Sequence, residues 1–219
     1  MIFIPAAIIA GLVFLEPDLG TSLILMLLVL ITYYVGNGPI LHFLLIFPAL
    51  LSLLVPLIIF EPYRLSRIES FLNPMSDPQG SSYQILQILK AIVTGGFFGV
   101  GLGGSIGKFN FVPEIQTDAI FAIFVEETGF IGAVLLIAAF VFLIRRAILI
   151  AKNAPDLQGR VLGSGIAGLL FIQSFLNIAS NVALIPLTGV PLPFISYGGS
   201  SLFITLASIG ILLNIKRQS

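Results

Sequence analysis

Six long apolar runs divide the chain: residues 2–15, 19–35, 40–60, 119–144, 161–185 and 194–215. Strands of a membrane barrel alternate apolar and polar positions over about 10 residues. These runs do not alternate, and five of them approach or exceed the roughly 20 residues that carry a helix across a bilayer. The pattern predicts an all-α, polytopic helical bundle of six spans, forming one integral membrane domain over residues 1–219. Residues 61–118 are then one large extracellular loop. The run 2–15 is short for a span, and it lacks the basic n-region and cleavage site of a signal peptide. It reads as the end of a span that begins upstream, and the chain as the C-terminal part of a longer protein.

Composition agrees with a membrane setting. Hydrophobic residues make up 58% of the chain and charged residues 9%, against about 25% charged in a soluble domain. Ten basic and ten acidic residues cancel. This excludes a disordered chain, a soluble enzyme and a nucleic-acid binder with a basic face. No cysteine is present, so disulfides and Cys-ligated metals are excluded. The single histidine, His42, argues against a His-based zinc site or a Ser-His-Asp triad.

The basic residues orient the bundle. Arg145, Arg146, Lys152 and Arg160 follow the fourth run, with Asp156 the one acid among them, and Lys216 and Arg217 close the chain. The positive-inside rule places both groups, and the turn at residues 36–39, in the cytoplasm. Residues 16–18, 61–118 and 186–193 then lie outside.

The long outer segment begins with a charged stretch, EPYRLSR at 61–67, and continues into turn formers at 73–80. Residues 81–93 read as a short surface helix with Ile85, Leu86, Ile88, Leu89 and Ile92 on an apolar face. A glycine-rich stretch at 95–107 follows. Its GVGLGG at 99–104 matches a dinucleotide fingerprint by letter, but lacks the strand before and the helix after. A tightly folded loop is the simpler use of these glycines.

Asp118 stands where this segment enters the fourth run. Either Thr117 or Asp118 would serve as a helix N-cap. Glu126 lies eight residues on, about 2.2 helical turns, so the two acids share a helix face if the helix includes both. Glu126 and Glu127 lie within an apolar run, where ionisable groups are expensive and turn to polar interiors. Glu16 and Asp18 form a hairpin-like turn between the first two runs, with Asp18 a candidate cap. Gln173, Asn177 and Asn181 recur every four residues on one stripe, which suits interhelical hydrogen bonding. Gly163, Gly165 and Gly168 suggest close helix packing. At 191–202, PLPFISYGGSSL breaks the head of the last run. Its backbone N–H groups could hold a phosphate, and a purely structural break is equally open.

Together these motifs resemble the SEDS family of shape, elongation, division and sporulation proteins, typified by FtsW, RodA and SpoVE. The carriers are EPDLGT at 16–21, EPYR at 61–64, Arg67, FLNP at 71–74, GSSYQ at 80–84, GLG at 101–103, Lys108, VPEIQTD at 112–118 and PLPFISYGGSSL at 191–202. The stretch from EPYR to GSSYQ is most similar to FtsW. The chain departs from the family in having six spans rather than ten. Glu16 stands where Gln is usual, Gln116 replaces a histidine, and Ala119 replaces a phenylalanine.

The resemblance implies a peptidoglycan glycosyltransferase of the bacterial plasma membrane. It would polymerise lipid II at the outer face by an inverting displacement. The family's catalytic aspartate falls on Asp118, as general base toward the acceptor hydroxyl. Arg64, Arg67 and Lys108 are candidate diphosphate partners, and Glu114, Glu126, Ser196, Gly198, Gly199 and Ser200 are further candidate contacts to diphosphate or sugar. No cofactor is certain, and a divalent cation is a candidate. The implied partners are a class B penicillin-binding protein and other division-complex proteins. Two alternatives stand beside this reading: a flippase for the same lipid-linked precursor, and a non-catalytic scaffold. A transporter would use acids near mid-bilayer, such as Glu126 and Glu127, where an enzyme needs Asp118 at the outer mouth.

Overall fold

Long apolar runs bounded by turn formers leave helices as the one way to satisfy every backbone group in a bilayer. A computed structural model describes residues 19–42, 62–75, 77, 82–105 and 118–218. Six helices are described: α1 (Leu19–Val35), α2 (Pro62–Leu72), α3 (Tyr83–Gly95), α4 (Ile120–Lys152), α5 (Leu157–Asn181) and α6 (Gly199–Gln218). Helices α4, α5 and α6 are long and apolar enough to cross a membrane, and α1 is a shorter apolar helix of 17 residues. The run 2–15, most of the run 40–60, and the turn at Glu16 and Asp18 lie outside the described residues.

Helices α4 and α5 form an antiparallel hairpin. Asp156 caps α5 by accepting the Gly159 N–H at 2.9 Å. The predicted glycine packing is realised along α5. A Cβ on Gly163 would come within 3.0 Å of Ala151 on α4, and one on Gly165 within 3.1 Å of Thr32 on α1. Gly168 faces Ile31 and Leu28 of α1. Helix α6 closes the far side, with Leu212 packed among Ala147, Ile166, Ala167 and Leu170. Phe130, Val134, Leu135, Val141 and Phe142 of α4 remain exposed. An apolar flank of this extent is what bilayer hydrocarbon covers.

Several boundaries differ from the sequence expectation. Helix α4 runs on through Arg145, Arg146 and Lys152 instead of ending near 144, because these flexible cations are good helix formers at a helix C-terminus. Helix α6 starts at Gly199 rather than 194, since Pro191, Pro193 and a left-handed Phe194 (φ 65°) hold residues 186–198 in irregular backbone. The charged stretch after 61 is not a loop: α2 begins there, with Pro62 in the first helical position where its missing N–H costs nothing. The short surface helix is α3, whose Ile85 and Ile88 are buried.

The longest helix is broken. Gly129 interrupts α4 with φ 72° and ψ −171°. The chain after α3 fills the break. Val100 N–H donates to the Glu126 carbonyl at 2.9 Å and Gly101 N–H to the Glu127 carbonyl at 3.1 Å. In return Phe130 N–H donates to Gly96 O at 2.9 Å and Ile131 N–H to Phe97 O at 3.4 Å. The glycine-rich stretch is therefore a plug for a broken membrane helix, and the fingerprint-like letters have a structural use.

Candidate active site at the head of α4

Asp118 is half-buried and lies two residues before the first helical residue of α4. The N-cap position belongs to Ala119, which makes no side-chain cap bond. Asp118 is therefore not the N-cap, and Thr117 lies outside the described residues. Asn181 of α5 acts in its place, its Oδ1 accepting the Ala122 N–H at 3.3 Å. Because Asp118 precedes the helix, the eight-residue spacing to Glu126 is not a helical repeat over its whole length.

The amide stripe of α5 organises the region. Asn177 Nδ2 donates to the Asp118 carbonyl at 2.9 Å and to the Val190 carbonyl at 2.8 Å. Asn181 Nδ2 donates to the same Asp118 carbonyl at 2.8 Å and to Asn177 O at 2.9 Å. Both asparagines are essentially excluded from solvent. In such surroundings each amide bond counts for more than at a surface, and an unmet group would be costly. The expected interhelical hydrogen bonding is present, directed at irregular backbone rather than at another helix's side chains. The side chain of Asp118 faces Gly189, where a Cβ would stand 3.6 Å from Oδ2.

The irregular segment 182–198 borders the same end of the bundle. Arg67 Nη1 of α2 donates to the Leu187 carbonyl at 2.9 Å. Leu187 in turn packs on Ile88, Ala119 and Ala122, directly behind Asp118. A small cavity of about 130 Å³ lies between α2, α3 and Leu187, with Arg67 and Gln84 among its walls. Arg67 and Asp118 are thus tied to one loop. Val190 and Leu192 of that loop are buried, Leu192 among Phe121, Val125 and Phe140.

The other candidates fall in different places. Glu126 is buried and accepts a 2.5 Å hydrogen bond from Ser105 Oγ, at the end of the glycine plug. Its partner is the plug, whereas that of Asp118 is the 182–198 loop. Ser196 closes its own turn, its Oγ accepting the Leu192 N–H at 2.7 Å. Gly199 and Ser200 are exposed at the start of α6, and Gly198 is half-buried beside them. Arg64 is in the first turn of α2, with its side chain outside the described residues, as are Lys108 and Glu114. Among the described residues no three Asp, Glu or His side chains converge as a metal site.

The sequence stripe at 173, 177 and 181 signalled polar contacts, but it did not signal that Asp118 would receive them. Gly189 carried no recognisable signal, and its left-handed φ of 71° emerges only in the fold.

Comparison with known proteins gives a consistent outcome. The family model described as "Cell cycle protein", FtsW/RodA/SpoVE, matches residues 1–219. Stage V sporulation protein E of Bacillus subtilis is 46% identical over 99% of this chain and 60% of its own length. A probable peptidoglycan glycosyltransferase FtsW of Coxiella burnetii is 42% identical over 97% of this chain and 58% of its own. Among solved structures, a peptidoglycan synthase complex that coordinates polymerization and crosslinking contains a chain of 33% identity. That chain superposes with a TM-score of 0.77, over 95% of this chain and 58% of its own. Thermus thermophilus RodA superposes with a TM-score of 0.60 at 31% identity, over 95% of this chain and 52% of its own. The chain therefore spans somewhat more than half the length of these relatives.

Proposed function

The chain belongs to the FtsW/RodA/SpoVE family of cell cycle proteins, and on that premise we propose that it carries the catalytic carboxylate of a peptidoglycan glycosyltransferase. It is part of a multi-pass membrane protein. The reaction is the polymerisation of lipid II. An acceptor sugar hydroxyl attacks the anomeric carbon of the donor, the C–O bond to the polyprenyl diphosphate breaks on the opposite face, and the configuration inverts. Asp118 takes the hydroxyl proton as general base. The leaving diphosphate needs cationic stabilisation, for which Arg67 is the described candidate and Arg64 and Lys108 the others. Glu114 and the Ser196–Gly198–Gly199–Ser200 turn complete the candidate contacts, whereas Glu126 is buried and held by Ser105, and a divalent cation at the diphosphate is compatible with this chemistry. The Asp118 end faces the outside of the plasma membrane, while Arg145, Arg146, Lys152, Arg160, Lys216 and Arg217 mark the cytoplasmic end. The partner is a class B penicillin-binding protein that crosslinks the new glycan.

One observation carries the reading. Asp118 is a partly exposed carboxylate at the rim of the longest membrane helix, with its backbone pinned by two buried amides. A rigidly held, solvent-reachable base is what glycosyl transfer to a lipid-tethered acceptor requires. Glu126, the acid that a transporter reading would use, is instead engaged with Ser105. The experiment is polymerisation of fluorescent lipid II by the purified full-length protein in detergent, where no second compartment exists. Asp118→Asn should abolish polymer with folding intact, and polymer formation by that variant would remove Asp118 from the role.

A further inference from the structure

A base that reacts at one atom of a large lipid-linked sugar must be placed to within a fraction of an ångström. Asp118 lies outside α4, two residues before its first helical residue, so the helix alone does not do this. Its carbonyl instead receives two amide donors, one from each of two successive turns of α5, at 2.9 and 2.8 Å. A carbonyl oxygen has two lone pairs, and these two bonds occupy both directions. The peptide plane that follows Asp118 is thereby held in place, and with it the Cα from which the carboxylate side chain departs.

The same amides hold the opposite wall. The two N–H groups of Asn177 are shared between Asp118 and Val190, so one side chain ties the carboxylate's backbone to the residue after Gly189. Gly189 is exposed and left-handed, and it presents bare backbone to Asp118 Oδ2. Asn181 completes the frame, with Oδ1 on the Ala122 N–H and Nδ2 on both Asp118 and Asn177. The pair thus does more than join two helices, since both side chains converge on the carbonyl of a non-helical residue.

We propose that Asn177 and Asn181 are positioning residues, which set the placement of the Asp118 carboxylate against the Gly189 wall for proton removal from the acceptor. This rests on the reading of Asp118 as the base.

The test is steady-state polymerisation of fluorescent lipid II by the full-length protein, with kcat and KM separated and thermal melting followed on the same preparations. Asn177→Leu and Asn181→Leu keep the branched heavy-atom shape of the side chain but remove the donors. Each should lower kcat by about tenfold to a hundredfold, with KM changed less than about twofold. Leu170→Ala, in the α5 core away from this frame, should lower the melting temperature and leave kcat unchanged. That contrast separates positioning from general loosening. Should the leucine variants fail to fold, Gly189→Ala, on an exposed turn, tests the wall from the other side and should also lower kcat. Wild-type kcat in the folded asparagine variants or, failing those, in Gly189→Ala overturns the positioning role. So does an effect confined to KM. If Asp118→Asn is inactive while the asparagine variants keep full kcat, this inference alone falls. If Asp118→Asn still polymerises, the reading beneath it falls as well.

Discussion

Replacing Gly129 with alanine should be among the most damaging single-methyl changes in the protein. The residue sits at φ 72° and ψ −171°, a region essentially confined to glycine, so a side chain there costs about 1–3 kcal/mol in backbone strain. The added Cβ would also stand 2.4 Å from Gly99 N and 2.5 Å from Phe97 O. Both are backbone atoms, so relief requires the whole 96–101 plug to retreat, at a further 1–3 kcal/mol, roughly. Retreat stretches the bonds from Phe130 and Ile131 to Gly96 and Phe97, each worth about 1 kcal/mol. The loss comes to the order of 5 kcal/mol. Gly103→Ala is the matched control. It has a comparable φ of 82° but no atom within 4 Å, so it should cost only about 1–2 kcal/mol of left-handed strain. The assay is the fraction of monodisperse full-length protein left after heating in detergent, read by size-exclusion chromatography. Gly129→Ala melting no lower than Gly103→Ala would refute the claim that the plug and the helix break are one interlocked unit.

Two further outcomes follow from the helix ends and faces. Asp156→Ala removes the cap bond to Gly159 and should cost about 1 kcal/mol, seen as a modest fall in melting temperature with polymerisation unchanged. Gly210→Ala, in α6 with no atom within 4 Å of a new Cβ, should stabilise by up to about 1 kcal/mol, and a lower melting temperature would show that α6 needs that gap.

The regular parts of the fold were legible because they are local. The run at 19–35 became α1 with the same limits, and the run at 161–185 became most of α5. The small residues of α5 announced its two close crossings. What escaped was non-local. Gly129 reads as one tolerated glycine in an apolar helix, and nothing nearby reveals that residues 96–101, some thirty positions earlier, will occupy the gap. Asp118 was found by motif, but its role as cap was misjudged. The flanking sequence points to a local cap, whereas the acceptor for the Ala122 N–H is Asn181 Oδ1, 59 residues further along the chain. The charged stretch at 61–67 carries no apolar run to mark it as a span, yet Pro62 suits the first position of a helix and α2 starts there.

The distribution of irregular backbone carries its own argument. The far end of the bundle closes conventionally, with a capped hairpin between α4 and α5 and cations in the last turns of α4 and α6. At the Asp118 end, three departures from helix crowd together: the break at Gly129, the non-helical entry at Asp118, and the 182–198 loop. In hydrocarbon each would leave backbone groups unmet, at several kcal/mol apiece. Here each is met by the protein: the break by the glycine plug, the entry by Asn177 and Asn181, and the loop by Arg67 on Leu187 and Asn177 on Val190. Three independent lapses would each need only their own repair. Shared repair is different, because Asn177 serves both the entry and the loop, and Ala122 rests on Asn181 while packing with Leu187. Joint closure of this kind makes one rigid rim out of the entry and the loop, two segments with no regular structure of their own, and the carboxylate it carries is Asp118.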